Sequence, residues 1–262
     1  VRARLGFDDI RMLVVSAAPI AKETLDYFQS LALPIMEVYG MSECTGPTTM
    51  SIPKRYRLGR AGYAIPGTEL RIAEDGEILI RGPHVFKGYY KNEEATREAL
   101  DADGWIHSGD VGEIDADGFL RVTDRKKELL ITSGGKNIAP QHLEGKLKQL
   151  AAVSQAVAIG DRRPYVVALL TLDPLRVTAE AEKAGSPART PEDAARCPVF
   201  KAYLEKQVER ANQDLARYEQ VKKIALLPQE LSVETGELTP TLKLKRRVIL
   251  ERHQAAIEAL YA

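Results

Sequence analysis

The sequence lacks most of the features that would classify it at once. Among its 262 residues are two cysteines and a single tryptophan. Cys44 and Cys197 cannot build a disulfide framework, and no Cys-x-x-Cys or His/Cys grouping has zinc spacing. A reducing compartment, the cytoplasm, is the expected setting. The longest unbroken apolar run, Tyr165 to Leu170, falls far short of the ~18 residues of a spanning helix. No charged-then-apolar leader pattern opens the sequence. Peripheral contact with a membrane surface is left open by these facts, a transmembrane segment is not. Net charge is missing as well, since 37 basic residues balance 37 acidic ones. That removes the electrostatic basis for a general nucleic-acid binder. Internal repeats and low-complexity tracts are absent.

What is present is an ordinary globular composition, 44% hydrophobic and 28% charged, which argues against disorder. The length suits one or two domains with a real core. The zero charge conceals a division. Residues 1–124 carry 14 basic and 20 acidic side chains, a balance of −6, and the remainder carries +6. The sign changes at Thr123-Asp124-Arg125-Lys126-Lys127, which marks a candidate boundary.

Arg11 to Val15 reads as a short buried strand, followed by a helix with Leu25, Phe28 and Leu31 on one face, stopped at Pro34. Ile35 to Tyr39 is a second apolar run, so the pattern is α/β with a parallel pair. Residues 56–123 alternate in short runs broken at Glu74-Asp75-Gly76-Glu77 and Asp117-Gly118, as hairpins do. A small twisted sheet or barrel is expected there, with one short helix near Glu93–Leu100. Beyond the charge switch, Pro140 opens a helix striped by Leu143, Leu147 and Leu150. Two strands flank the turn Asp161-Arg162-Arg163-Pro164. A long amphipathic helix carries Phe200, Leu204, Val208, Ala211 and Leu215. Val221 to Leu227 reads as a strand and Val248 to Tyr261 as a closing helix, completing a small α+β domain. Gly185 to Pro198, rich in Pro, Ala and charge, is expected to be a mobile loop.

Several local patterns carry chemistry. Ser133-Gly134-Gly135-Lys136-Asn137 is Gly-rich, but Leu130 stands where a phosphate loop has its first Gly, and Asn137 replaces the Mg²⁺-binding hydroxyl. A plain turn is the simpler reading. In Tyr39-Gly40-Met41-Ser42-Glu43 a strand ends in an aromatic, a Gly, a hydroxyl and a carboxylate. These could stack a base, approach a phosphate, donate to it and hold a divalent cation, or form an ordinary polar loop. Asp110, directly after Gly109, could accept both hydroxyls of a ribose or simply close a turn. Residues 243–247 pack four cations into five positions, a solvated face or a phosphate clamp.

In order and spacing, Tyr39–Glu43, Gly76-Glu77-Ile78-Leu79, Trp105–Asp110, Asp124-Arg125-Lys126-Lys127, Ser133–Pro140 and Lys243 together resemble the adenylate-forming superfamily. That superfamily comprises acyl-CoA synthetases, adenylation domains and luciferases, and the likeness is strongest to bacterial long-chain fatty acid–CoA ligases. The resemblance runs over nearly the whole sequence. It implies ATP with Mg²⁺, and coenzyme A as co-substrate. A carboxylate attacks the α-phosphate to give acyl-adenylate and pyrophosphate. A smaller domain then rotates, and the thiol attacks the acyl carbon with release of AMP.

The resemblance also implies roles residue by residue. Tyr39 would stack on adenine, with Ala17, Ala18 and Pro19 lining the site through their backbone. Gly40 and Ser42 would meet the phosphate, Ser42 standing where Thr is usual, and Glu43 would associate with Mg²⁺. Asp110 and Arg125 would hold the ribose, Lys127 would be the hinge, and Gly134 and Gly135 would border the pantetheine tunnel. Lys243 matches the adenylation lysine, although Leu242 replaces the usual Gly before it and Lys245 is an alternative.

The loop that wraps the β- and γ-phosphates is not in the sequence and is expected upstream of Val1, in an N-terminal part of the same enzyme. The implied organisation is the end of a large α/β domain (1–54), a small β-barrel subdomain (55–123), a hinge (124–127) and a mobile α+β C-terminal domain (128–262). These residues alone are not expected to turn over. An acyl-AMP ligase serving a carrier protein, or a catalytically incompetent nucleotide-binding module, are the alternatives.

Overall fold

The computed structural model describes residues 2–18, 20 and 22–262. They divide into two units, the first ending at Glu128 and the second spanning Leu129–Ala262.

In the first unit, β1 (Leu13–Val15), α1 (Lys22–Ser30) and β2 (Ile35–Met41) form the expected strand–helix–strand segment, with β1 and β2 parallel, but β1 is not the buried strand expected, since Val14 is 49% exposed. Leu25 anchors α1 and is fully buried. β2 then pairs antiparallel with β3 (Gly46–Met50), which pairs with β4 (Tyr63–Ala64). A second sheet follows as a curled antiparallel meander: β5 (Glu69–Ile72), β6 (Glu77–Arg81), β7 (Ile106–Ile114) and β8 (Leu120–Arg125). Its two predicted hairpin turns contain Gly76 and Gly118 at φ +86° and +83°, left-handed positions that glycine adopts without steric cost. The helix α2 (Glu93–Ala99) lies between β6 and β7, capped by the Asn92 side chain, which accepts from the Ala95 N–H. Ile78, Ile80, Ile106 and Leu120 of the meander pack with Cys44 into one core. Cys44 is therefore a core residue.

The second unit opens with the hairpin β9 (Leu130–Ile131) and β10 (Asn137–Ile138), then α3 (Pro140–Leu147). Its sheet has the order β11 (Val153–Ile159), β12 (Val166–Leu172), β13 (Val221–Leu226), with β12 antiparallel to β11 and parallel to β13. The helices α4 (Val177–Ala184), α5 (Pro191–Arg196) and α6 (Pro198–Ala211) connect β12 to β13, and α7 (Arg246–Arg252) and α8 (Gln254–Tyr261) close the chain. Alternate residues of β12 enter two cores. Val166, Ala168 and Leu170 pack with Leu143, Phe200 and Leu204, whereas Val167 and Leu169 pack with Ile249, Ile257 and Leu260. A central strand covered on both faces reads as a continuous apolar run, which explains Tyr165 to Leu170. Among the described residues no helix is long and apolar enough to cross a membrane.

Several expectations need correction. Three helices are shorter than their apolar stripes: α1 ends at Ser30 before Leu31, α3 at Leu147 before Leu150, and α6 at Ala211 before Leu215, which follows the 3₁₀ turn Asn212–Asp214. Residues 185–198 are not simply a loop, because α5 forms within them. The Thr190 hydroxyl accepts from the Asp193 N–H, Pro191 occupies the first turn, and Ala194 is buried. A capping threonine followed by proline is a helix start, a local signal that the loop-like composition masks. The closing helix is also two helices. His253 leaves helical geometry at φ −104°, ψ 19°, with its Nε2 held 2.7 Å from Glu237 Oε1.

β11 is an edge strand, and a buried ion pair closes part of that edge. Glu144 on α3 accepts from the Ala158 N–H at 2.8 Å, and Arg246 on α7 donates to the Ala158 carbonyl at 3.3 Å. The Arg246 Nη2 lies 2.7 and 2.8 Å from the two Glu144 oxygens. Backbone groups that a free edge would expose are thereby satisfied. Removing one partner of such a pair strands the other, which costs about 3–5 kcal/mol. Glu144→Ala should therefore lower stability in chemical denaturation by that order. Arg247→Ala, which loses only an exposed pair with Glu251, should leave the midpoint unchanged.

Candidate functional site

The end of β2 and the short 3₁₀ turn Ser42–Cys44 after it carry Tyr39, Gly40, Ser42 and Glu43 of the residues predicted for the first unit. Cys44, buried in the core, pins the turn, and Thr45 closes it in the left-handed region at φ +59°. This leaves Ser42 exposed and Glu43 half-buried on the outer side. Gly40 has a packing reason of its own. A Cβ there would lie 1.9 Å from the Gly46 carbonyl oxygen of the paired strand, so the close approach of β2 and β3 requires glycine. Glu43 Oε1 accepts from the Tyr89 hydroxyl at 2.7 Å, and the Glu43 carbonyl accepts from the Phe86 N–H, also at 2.7 Å. Ala17 and Ala18 are exposed just beyond β1. Ala17 takes φ +74°, a conformation that costs a non-glycine residue roughly 1–2 kcal/mol. Pro19 lies outside the described residues.

Asp110 on β7 stands at the meeting point of three segments. Its Oδ2 accepts from the Tyr39 hydroxyl at 2.8 Å, across 71 residues of sequence. Its Oδ1 lies 3.1 Å from Nε of Arg125, its register partner on β8. Its N–H donates to Ser108 Oγ at 3.1 Å. Only 8% of the residue is exposed. Burial raises the Asp110 carboxyl above its ordinary value, and the Tyr39 hydroxyl and Arg125 charge offset this only in part. Tyr39 is itself pushed well above the ordinary phenol range, first by burial and then by the Asp110 charge, so it acts as a donor. A buried carboxylate whose donors do not offset its desolvation gains from further hydroxyl donors. Two vicinal hydroxyls are such a ligand.

In the second unit, Gly134 and Gly135 form the turn between β9 and β10, where the Gly135 N–H donates to the Thr132 carbonyl at 2.8 Å. Gly135 needs its left-handed φ of +72°, whereas an added Cβ on Gly134 would meet no atom closer than 3.9 Å. Neither internal packing nor a positive φ accounts for Gly134. Lys243 projects from a tight turn in which the Leu242 N–H donates to the Thr239 carbonyl and the Lys243 N–H to Thr239 Oγ1. Leu242, standing where the resemblance has Gly, adopts the glycine-like φ of +60° and is 65% exposed. The turn thus keeps its shape despite the substitution. Lys245 is exposed as well and begins α7 as its cap residue. Of the four clustered cations, Arg246 is committed to Glu144 and Arg247 pairs with Glu251, which leaves Lys243 and Lys245 on the surface.

The structure brings Tyr39, Asp110 and Arg125 together, with Gly40, Ser42 and Glu43 adjoining Tyr39 in sequence. Lys127 lies in a 3₁₀ turn, Lys126–Glu128, directly after β8. Sequence reasoning missed Tyr89, the partner of Glu43, because 46 residues separate them and no motif marks the pair. Ser108 was missed as well, although its place two residues before Asp110 is a local hydroxyl-to-backbone signal. Among the described residues no cluster of three His, Cys, Asp or Glu side chains could hold a metal. A Mg²⁺ ion that keeps waters and takes phosphate oxygens needs only one or two carboxylates. Glu43 fits that requirement.

The Asp110 shift has a definite sign in stability. Its native pKa lies above the unfolded value, so the ionised carboxylate costs stability above the native pKa, and the cost vanishes as pH falls below the unfolded one. Asp110→Asn should therefore melt higher than the wild type at pH 7, with the gap closing as the pH is lowered through the carboxylate range. A lower Tm at pH 7 would mean that the Arg125 pair outweighs burial.

Comparison with known proteins identifies the family. Residues 2–90 match the AMP-binding enzyme family and residues 127–262 match the AMP-binding enzyme C-terminal domain. FadD11 of Mycobacterium tuberculosis is 46% identical over 265 residues, which is 100% of this chain and 46% of that protein. The long-chain-fatty-acid–CoA ligase FadD15 of Mycobacterium bovis is 41% identical over 262 residues, again 100% of this chain and 43% of that protein. The chain thus spans less than half the length of these relatives. Among solved structures, o-succinylbenzoate CoA synthetase (MenE) of Bacillus subtilis, in complex with its acyl-adenylate intermediate, superposes with a TM-score of 0.72 at 25% identity. That match covers 92% of this chain and 46% of MenE. The chain belongs to the AMP-binding enzyme family.

Proposed function

We propose that these residues form part of an ATP-dependent, AMP-forming fatty acid–CoA ligase, together with an upstream portion of the same enzyme. The observation that carries the reading is the Tyr39–Asp110 hydrogen bond of 2.8 Å, which joins the two residues expected at the adenine and at the ribose. The names of the long-chain fatty acid–CoA ligase relatives support the substrate class. The two free cysteines, one of them in a core, support a cytoplasmic setting.

In this reading the Tyr39 ring covers the adenine while its hydroxyl holds Asp110 in place. The Asp110 carboxylate accepts the ribose hydroxyls, with the Arg125 guanidinium beside it. Ser42 donates to the α-phosphate, and Ala17 and Ala18 present backbone to the base. Glu43, oriented by the Tyr89 hydroxyl, would hold Mg²⁺, which supplies charge neutralisation to the phosphates. The substrate carboxylate attacks the α-phosphorus, the bond to the bridging oxygen breaks, and pyrophosphate leaves. In the second step the coenzyme A thiol, having lost its proton, attacks the acyl carbon and AMP departs. Such phosphoryl chemistry calls for positioning and charge rather than a covalent protein nucleophile. Lys243, on its exposed turn, supplies positive charge to the oxygens in the first step. Lys127 serves as the hinge between steps, and the open space at Gly134 and Gly135 admits the pantetheine arm.

The test separates the two half-reactions in the intact enzyme. Lys243→Ala should slow ATP–pyrophosphate exchange by about 100-fold or more, the typical effect of removing one preorganised donor. Thioester formation from supplied acyl-adenylate should be largely spared. Lys245→Ala should leave both steps near wild type. Equal loss in both half-reactions for Lys243→Ala, or a selective exchange defect in Lys245→Ala instead, would overturn the assignment.

A further inference from the structure

Glu77 belongs to the motif order of the sequence, yet the chemistry above gives it no task. It is a buried carboxylate of the meander with three partners, His107, Gly109 and Lys126. Only 4% of the residue is exposed. Its Oε1 accepts from the Gly109 N–H at 2.9 Å. Its Oε2 lies 3.1 Å from His107 Nδ1 and 2.9 Å from Lys126 Nζ. Lys126 is bound a second time, at 2.6 Å, by Asp75 Oδ2 from the turn preceding β6. Burial pushes the Glu77 carboxyl up, but the hydrogen bonds from Lys126, His107 and Gly109 outweigh it and leave the group below its ordinary value. Glu77 is thus a fully ionised anchor at neutral pH.

The positions of its partners matter more than their number. Gly109 immediately precedes Asp110, and Lys126 immediately follows Arg125, so one carboxylate grips the backbone next to one member of the Asp110–Arg125 pair and the side chain next to the other. Gly109 is in the left-handed region at φ +70°, with no atom within 4 Å of the space a Cβ would take. Its turn is fixed through its N–H rather than by packing on that side. Lys126 opens the 3₁₀ turn that contains Lys127.

We propose that Glu77 is a positioning residue which sets the Ser108–Asp110 backbone and the Lys126–Glu128 turn against a common frame, so that the ribose acceptor and the hinge keep a fixed spacing. The inference rests on the roles given above to Asp110 and Lys127.

The experiment uses the intact enzyme and needs no nucleotide. Amide exchange and ¹⁵N spectra are recorded for wild type, Glu77→Gln, Glu77→Ala and Lys126→Met, with limited trypsinolysis at the Lys127–Glu128 bond. Glutamine keeps an acceptor for the Gly109 N–H but loses the charge that holds Lys126. Glu77→Gln should therefore retain Gly109 protection while nicking at Lys127 rises about tenfold. Glu77→Ala should accelerate both by about tenfold or more, the scale expected when a charged hydrogen bond is lost. Lys126→Met should raise nicking alone. In every variant the amides of Ile78, Ile80 and Leu120 should keep their protection.

Unchanged Gly109 exchange in Glu77→Ala, or unchanged nicking in Lys126→Met, would overturn the proposal. Uniform loosening of all meander amides would also overturn it, since that marks a merely structural carboxylate. Because no ligand is involved, such a failure would leave the ribose role of Asp110 standing. Conversely, failure of that role in nucleotide assays would leave these exchange results intact.

Discussion

Two buried carboxylates on neighbouring strands of one small sheet carry the logic of the first unit. Both Glu77 and Asp110 lose most of their hydration, and burial is the largest influence on each. Their outcomes are opposite. Glu77 receives a lysine, a histidine and a backbone N–H, and ends below its ordinary value. Asp110 receives one tyrosine hydroxyl and a guanidinium that is 60% exposed, and ends above it. The first is a satisfied structural anchor, and the second is a group still short of donors. In a fold, a polar group left short of partners is commonly the place where a ligand completes the set. The Asp110 carboxyl is thus raised by its burial, while Glu77 binds the N–H of the neighbouring Gly109.

Charge has a comparable division in the second unit. The dense cationic tail looked uniform along the chain, but its members differ in kind. Arg246 is drawn inward by Glu144 and by the Ala158 carbonyl, which makes it part of the sheet edge. Arg247 pairs locally on its own helix. Lys243 and Lys245 remain on the surface, and the first of them rides a turn whose left-handed Leu242 preserves the shape a glycine would give. The net charge of zero thus sums two unlike halves, one carrying buried acidic acceptors and the other exposed cations.

Much of this was legible in the sequence where the signal is local. The parallel β1–α1–β2 segment, both hairpin glycines and the strand pair β11–β12 follow from periodicity and turn chemistry, whereas the covering of β12 on both faces emerged only in the structure. The site motifs could be recognised because each is contiguous. Partnerships across long separations could not. Nothing in the sequence pairs Tyr39 with Asp110, Glu43 with Tyr89 or Glu144 with Arg246, because those contacts are created by strand register and helix packing. Gly40 illustrates a mixed case. Its motif suggests a phosphate neighbour, and the strand pair supplies a sufficient packing reason for the same residue. α5 failed for the reverse reason, since an explicit Thr-Pro helix start was outweighed by the composition around it. The break at His253 depends on Glu237, a partner on a different segment, and no local rule foretells it.

The central claim is that Asp110 accepts the ribose hydroxyls of an adenine nucleotide. The most direct measurement compares ATP with its 2′-deoxy and 3′-deoxy analogues in ATP–pyrophosphate exchange by the intact enzyme, in wild type and in Asp110→Ala. The account predicts that the wild type is markedly slower with at least one deoxy analogue, and that the penalty largely disappears in the variant, because the hydroxyl and the carboxylate are coupled. An undiminished deoxy penalty in Asp110→Ala would contradict it.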